Sequence, residues 1–315
     1  MNTLTEEIKL TKKHAKMRNH EVQRAYLEQW LSPIEPRTLW YVDLRPLEKH
    51  QAVSVQGEAP ASKHGGGYLC KANFAIENYL YVPERPDGRD DSLEDEFAEL
   101  ESEMVNFCRT ARNGTVHSRD PMVIKRALVG CMSHCFRDAY GWRRILQKYF
   151  GLETNLTSKA TDFPPNAHDW LIRNARRSLS LYEKRVSALT WTVHWNIPVS
   201  LLTSDRPGWD LATRHDSAMS HILMPLCPNV MLIGQEPSED SKAGQLRFVR
   251  GRDDHANIWH KWNAFVVERA RGWVVAASKE QLNELISEFT VEKYAYRVST
   301  EKLVEIDPVS GEKLL

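Results

Sequence analysis

A chain of 315 residues, 42% of them hydrophobic and 27% charged, has enough apolar content to bury a sizeable core, which excludes a disordered polypeptide. Its 42 Lys and Arg cancel its 42 Asp and Glu, so no whole-molecule field drives it onto nucleic acid or an anionic membrane, and any basic surface must be local. The stretch MNTLTEEIKLTKKHAKM lacks a signal-peptide core, no run approaches the ~20 apolar residues of a membrane span, and five irregularly spaced cysteines make no disulfide framework, so the expectation is a cytoplasmic protein with reduced thiols and no membrane partner.

Residues 1–31 read as helix, with Asn19 as N-cap and Val22, Ala25, Tyr26 and Trp30 recurring at helical spacing up to Ser32-Pro33. TLWYVDL, AVSVQ and FAIENYLYV follow as strand-like pieces separated by Gly and Pro signals. Between about 92 and 187 the period becomes helical. The starts are Ser92 with Asp95 as a capping box, Asp120-Pro121 as cap and first helical residue, and Asn166 after a proline pair. TWTVHWN, VSLLT, HILMPL and VMLIG then read as strands, with CPN turning between the last two. A helix over 257–271 with Gly272 as its stop, the strand WVVAAS, and a helix capped by Ser278 and running through Phe289 complete the pattern. There is no internal repeat. The fold class expected is α+β, one unit over 1–315: a helix and small sheet (1–91), a central helical layer (92–187), then mixed or antiparallel sheet and helices (188–315).

The segment SLEDEFAELESEMVNFC is the most informative chemically. On a helical wheel Leu93, Phe97, Leu100, Met104 and Phe107 form the apolar face, and Asp95, Glu96, Glu99 and Glu103 point away from it. Glu94 and Glu101, one heptad apart, lie within about 20° of each other on an edge of the buried stripe. Carboxylates placed there need partners, which leaves two readings: a metal-binding or acid/base pair, or a structural pair neutralised by arginines. On the next helix Arg126, Arg137, Arg144 and Lys148 form a basic stripe, and Arg173, Arg176, Arg177 and Lys184 do likewise on the one after. Such stripes can neutralise phosphates, or can be solvated and paired with the acidic face of the preceding helix.

In CMSHC, Cys131 and Cys135 share the apolar stripe while His134 points away, so buried thiols are expected rather than zinc ligands. In RNGTVH, Arg112 and His117 have the R-x4-H spacing of some helical ribonucleases, against which Gly114 reads as a helix end. VSLLTSDRPGW ends an apolar run on Asp205, either to present a carboxylate to a cleft or to cap the turn at Pro207.

HEVQRAYLEQWL, LWYVDL, AIENYLY, LEDEFAELE, LLTSDRP, MPLCPNVMLI and WNAFVVERARGWVVAAS, in that order, resemble the bacterial and phage family named domain of unknown function 4238. His20, Val22, Tyr26, Leu27 and Trp30 match its N-terminal signature, with Gln23 where the family has Pro and Glu21 where it has an aromatic. The association of some members with anti-phage defence implies an effector that damages nucleic acid or another essential target. The resemblance also selects His20, Glu77, Glu94, Glu101 and Asp205, all inside its recurrent motifs. Together these give a metal-dependent nuclease as the leading expectation. Glu94, Glu101 and Asp205 would hold Mg2+ or Mn2+, His20 would shuttle a proton, and the stripe Arg126, Arg137, Arg144 and Lys148 would dock phosphates. The other reading is a non-catalytic sensor or binding module in which the same polar cluster is structural.

Overall fold

Part of the N-terminal segment departs from the expected helix. In a computed structural model of the protein, which describes residues 18–20, 24–32, 38–58, 61–62, 68–69, 76–78, 84–85, 88–89, 92–136, 165–210 and 221–300, Arg18–His20 is a strand (β1) and Arg24–Leu27 is helical, the rest of the expected helix before Arg24 lying outside the described residues. The helix Arg24–Leu27 (α1) passes directly into a 3-10 turn over Glu28–Trp30. Asn19 therefore sits in a ladder, opposite Glu77. Asn and His are weak helix formers, and pairing with a distant strand outweighs the local period.

Along the first part of the chain the strands are Leu39–Asp43 (β2), Val55–Glu58 (β3), Ala61–Ser62 (β4), Tyr68–Leu69 (β5), Ile76–Asn78 (β6), Glu84–Arg85 (β7) and Gly88–Arg89 (β8). Three of the pairs are short antiparallel ribbons: β1 with β6, β4 with β5, and β7 with β8. The helices Ser92–Ala111 (α2), Pro121–Phe136 (α3) and Pro165–Ala188 (α4) follow. Then come Thr190–Trp195 (β9), Thr203–Ser204 (β10), Trp209–Asp210 (β11), His221–Cys227 (β12), Val230–Gln235 (β13) and Leu246–Arg250 (β14). Ala256–Arg269 (α5), Trp273–Ala276 (β15), Lys279–Leu285 (α6) and Val291–Thr300 (α7) close the described chain.

Two larger sheets result, and the class is α+β. One is antiparallel throughout, in the order β10-β15-β2-β3; the other is mixed, in the order β11-β12-β13-β9-β14, with β14 parallel to β9. Strand residues alternate between two apolar clusters, as the two-residue period of a strand requires. Leu39, Tyr41, Trp191, Val193, Leu232, Trp273 and Val275 face the first cluster, which α2, α3 and α4 cover with Met104, Phe107, Leu128, Met132 and Val186. Trp40, Val42, Met231, Ile233, Val274 and Ala276 face the second, covered by α5, α6 and α7 through Trp259, Trp262, Val266, Leu282 and Tyr294. The helices from the middle of the chain thus form a layer on one face of both sheets. Gly130 lets α3 close on α2: a Cβ there would lie 2.5 Å from the Leu100 carbonyl oxygen.

Local chemistry sets several boundaries. The Asp120 carboxylate accepts the Met122 N–H (2.9 Å), capping α3, and Ser278 accepts the Gln281 N–H (3.2 Å), capping α6. At the end of α2 the chain turns at Gly114, φ +69°, with its Cα against the Trp195 ring. Of the expected strand VSLLT only Thr203 joins a ladder. The Leu201 N–H goes to the Pro228 carbonyl (2.7 Å) and the Leu202 N–H to Asn263 Oδ1 (2.8 Å), so neither needs a neighbouring strand. β14 and α7 were not anticipated from the sequence. No helix of the described residues is long and apolar enough to cross a membrane.

Candidate functional site

The polar core of the molecule lies where β10 ends. Thr203 and Ser204 pair with Val275 and Val274 of β15, and this register carries Asp205 to the turn that joins α5 to β15. There the Asp205 N–H donates to the Trp273 carbonyl (3.3 Å). Its carboxylate accepts the backbone N–H of Arg271 (3.1 Å to Oδ1, 3.4 Å to Oδ2) and of Trp273 (3.4 Å). Asp205 is 3% exposed. Beside it, the Ser204 hydroxyl accepts the Arg206 N–H and donates to the Arg206 carbonyl, both at 3.1 Å. The carboxylate therefore ties together two chain segments inside the fold and also helps to shape a turn.

The same turn holds a buried guanidinium. Arg271 donates through Nη1 to the carbonyls of Glu268 (3.3 Å) and Ala270 (3.2 Å), and through Nη2 to that of Arg297 (3.3 Å). Arg297 in turn donates to the carbonyls of Val267 (2.8 Å) and Glu288 (3.0 Å). Burial, followed by the Arg271 charge, pulls the Arg297 pKa down from its usual value. The Tyr294 hydroxyl donates to the Arg271 carbonyl (3.0 Å) and lies 3.5 Å from Glu48 Oε1. Burial, with the negative charges of Glu48 and Asp205, pushes its pKa far above the ordinary phenol range. Chemically this is a set of main-chain clamps holding the last two helices to the sheet. Arg271, Tyr294, Arg297 and Glu48 had no signature in the sequence; the nearest signal is an arginine wedged between apolar α5 and the apolar strand WVVA.

The expected site residues sit on several elements: Glu94 and Glu101 on α2, Asp205 after β10, His20 on β1 and Glu77 on β6. Glu94 and Glu101 are half-buried on α2, and neither is without a partner. His20 and Glu77 are brought to adjacent register positions, His20 opposite Ile76 and Asn19 opposite Glu77. Among the described residues no group of three or more His, Cys, Asp or Glu side chains is placed to share a metal ion. Of the basic stripe, Arg126 pairs with Glu99 (3.0 Å) on the exposed face of α2, and Arg176 likewise bridges Glu96 (3.0 Å) and the Ser92 hydroxyl (2.8 Å). Such exposed pairs contribute only ~0–1 kcal/mol each, but they neutralise the arginines. Arg137, Arg144 and Lys148 lie outside the described residues.

The remaining motifs resolve as packing. His134 is buried edge-on to Tyr26, ring centroids 4.8 Å apart. Cys108, Cys131 and Cys227 are buried and in no disulfide, and burial raises the thiol pKa of Cys108 and Cys227. Arg112 donates to Gln29 Oε1, while His117 Nε2 meets Glu103 Oε2 at 3.2 Å, so the R-x4-H pair is held by two separate acceptors. A scan against protein-family models, a search of curated proteins and a search of solved structures each return no match to this chain.

Proposed function

We propose that this protein is a non-catalytic sensor or binding module, in which the polar cluster around Asp205 holds the fold together. The observation that carries this reading is the commitment of the buried Asp205 carboxylate to the backbone N–H groups of Arg271 and Trp273. Oxygen atoms engaged in this way, in a residue 3% exposed, are poorly disposed to bind a metal or a phosphodiester. The ion pairs of Glu96 and Glu99 with Arg176 and Arg126 support it, because they fill the acidic face of α2 with internal partners. The likeness to domain of unknown function 4238 points instead to a defence effector acting on nucleic acid, possible only if its carboxylates reach substrate. The test is Glu94→Gln, Glu101→Gln and Asp205→Asn in the full chain, assayed for cleavage of single- and double-stranded nucleic acid with Mg2+ or Mn2+, and followed by thermal melting. A binding module shows no cleavage in any form and a lowered melting temperature for Asp205→Asn. Cleavage by the wild-type chain that is abolished in a fully stable glutamate variant overturns the proposal.

A further inference from the structure

β14 is the last strand of the five-stranded sheet as far as the described residues go. The Trp191 N–H donates to the Gln245 carbonyl (2.8 Å) and the Gly251 N–H to the Trp195 carbonyl (2.7 Å), in the parallel register that sets Leu246 opposite Trp191 and Arg250 opposite Trp195. In a parallel ladder every second residue turns both backbone groups to the same neighbour. Gln245, Arg247, Val249 and Gly251 therefore bond to β9, and Leu246, Phe248 and Arg250 turn their N–H and C=O groups outward. Among the described residues no strand lies on that side. The strand contains no proline and no bulge, two of the devices that blunt such an edge, and only the charges of Arg247 and Arg250 mark it as one.

Its side chains give the edge a sign. Arg247 is fixed by its Nε–H to the Thr192 hydroxyl (3.0 Å), and the Arg250 guanidinium lies 5.7 Å over the Trp195 ring. Neither has a carboxylate partner among the described residues, whereas the nearby Arg252 is paired with Asp254 at 2.9 Å. Val249, 38% exposed, stands between them. Two positioned, unpaired guanidinium groups on this backbone edge call for a partner that brings both carboxylates and a peptide ladder.

We propose that β14 is a docking edge for an extended acidic peptide segment of a partner protein, which adds to the sheet as a sixth strand beyond Leu246–Arg250. This rests on the binding-module reading and names its partner class. The outward carbonyls of Leu246, Phe248 and Arg250 match peptide N–H groups and repel phosphate, which favours a peptide over nucleic acid. A second copy of β14 paired about Phe248 would set Arg247 opposite Val249 and Arg250 opposite Leu246, and so would bring neither guanidinium a carboxylate. Glu or Asp at alternate positions of the incoming strand reach Arg247 or Arg250 instead.

The probe is a short fluorescein-labelled peptide of alternating Glu and Val, titrated by anisotropy into the full chain, with a Lys/Val peptide and a labelled single-stranded oligonucleotide as controls. The expected result is binding of the acidic peptide alone, weakened about tenfold or more by Arg247→Glu with Arg250→Glu. Arg250→Pro, which removes an outward N–H without touching the ladder to β9, should bind several-fold more weakly than Arg250→Ala, which keeps it. Hydrogen exchange should show new protection at Leu246, Phe248 and Arg250 and not at Arg247 or Val249. Equal binding of Arg250→Pro and Arg250→Ala overturns the proposal, as does binding of the oligonucleotide in place of the peptide. So does self-association in sedimentation velocity that Arg250→Pro abolishes. Failure of the acidic peptide with no nuclease activity in the wild-type chain overturns the docking edge alone; carboxylate-dependent cleavage overturns the reading beneath it.

Discussion

The Tyr26 hydroxyl donates to the Pro225 carbonyl at 2.6 Å, and accepts from the Thr203 hydroxyl at 3.0 Å. Since the phenol has one proton, Thr203 must be the donor in the second bond. β11 pairs with β12 only as far as Leu223, so at Pro225 the side chain of α1 takes the place that a longer strand would have occupied. One buried residue thus joins α1 to both sheets. Tyr26→Phe keeps the ring and leaves the carbonyl and hydroxyl short of a partner, at a cost of about 1–3 kcal/mol. Urea unfolding should show a lower midpoint with an unchanged slope.

Asp205→Ala removes the acceptor for the backbone N–H groups of Arg271 and Trp273 and opens a small void. The loss expected is on the order of 3 kcal/mol, since buried amides are left without acceptors. In hydrogen exchange, Arg271 and Trp273 should lose protection before the strands of the other sheet do, which separates this role from a general loss of stability.

His194 faces Trp259 at 5.5 Å between ring centroids, and its pKa is lowered by burial first, then by the charges of His255 and Arg247. With the folded value below the unfolded one, the unfolded chain binds more protons in the interval between them, so stability rises with pH there. The full contribution is present above the unfolded value of about 6.5, begins to be lost as pH falls past it, and is gone below the folded value. Unfolding free energies measured from pH 7.5 downward should decline through this window. His194→Gln should make the decline shallower; an unchanged slope would show that another group governs it.

Gly114→Ala asks an alanine to adopt a left-handed φ of +69° with its Cβ 2.6 Å from the Trp195 ring. The backbone cost of about 1 kcal/mol or more adds to displacement of a ring that also underlies Arg250. Melting should fall, and near-ultraviolet circular dichroism should report the disturbed tryptophan.

Where the chemistry is local, the sequence was readable. Asp120 before Pro121, Ser278 three residues before Gln281, and Pro228-Asn229 between two apolar runs each act on neighbours a few positions away. The wheel likewise placed Phe97, Met104 and Phe107 of α2 in the core. Asn19 looked like a cap because its pairing partner, Glu77, is far along the chain. β14 was hidden because LRFVR carries charge where a buried strand would carry Val or Ile, which is the mark of an edge. For Asp205, the turn with Arg206 was legible from Ser-Asp-Arg-Pro, but its bonds to Arg271 and Trp273 exist only because β10 lies against β15. That depends on topology, which no spacing encodes.

Strand β2 lies between β3, which follows it closely, and β15, which is made more than two hundred residues later. During synthesis, Leu39–Asp43 must therefore wait with one edge bare until Trp273–Ala276 has left the ribosome. Sheets closed by such distant partners form slowly and stay open to misassociation meanwhile. The nascent chain is accordingly a natural client for chaperones, and a polypeptide truncated just before Trp273 should be captured by them and accumulate as insoluble material, although most of its sequence is intact.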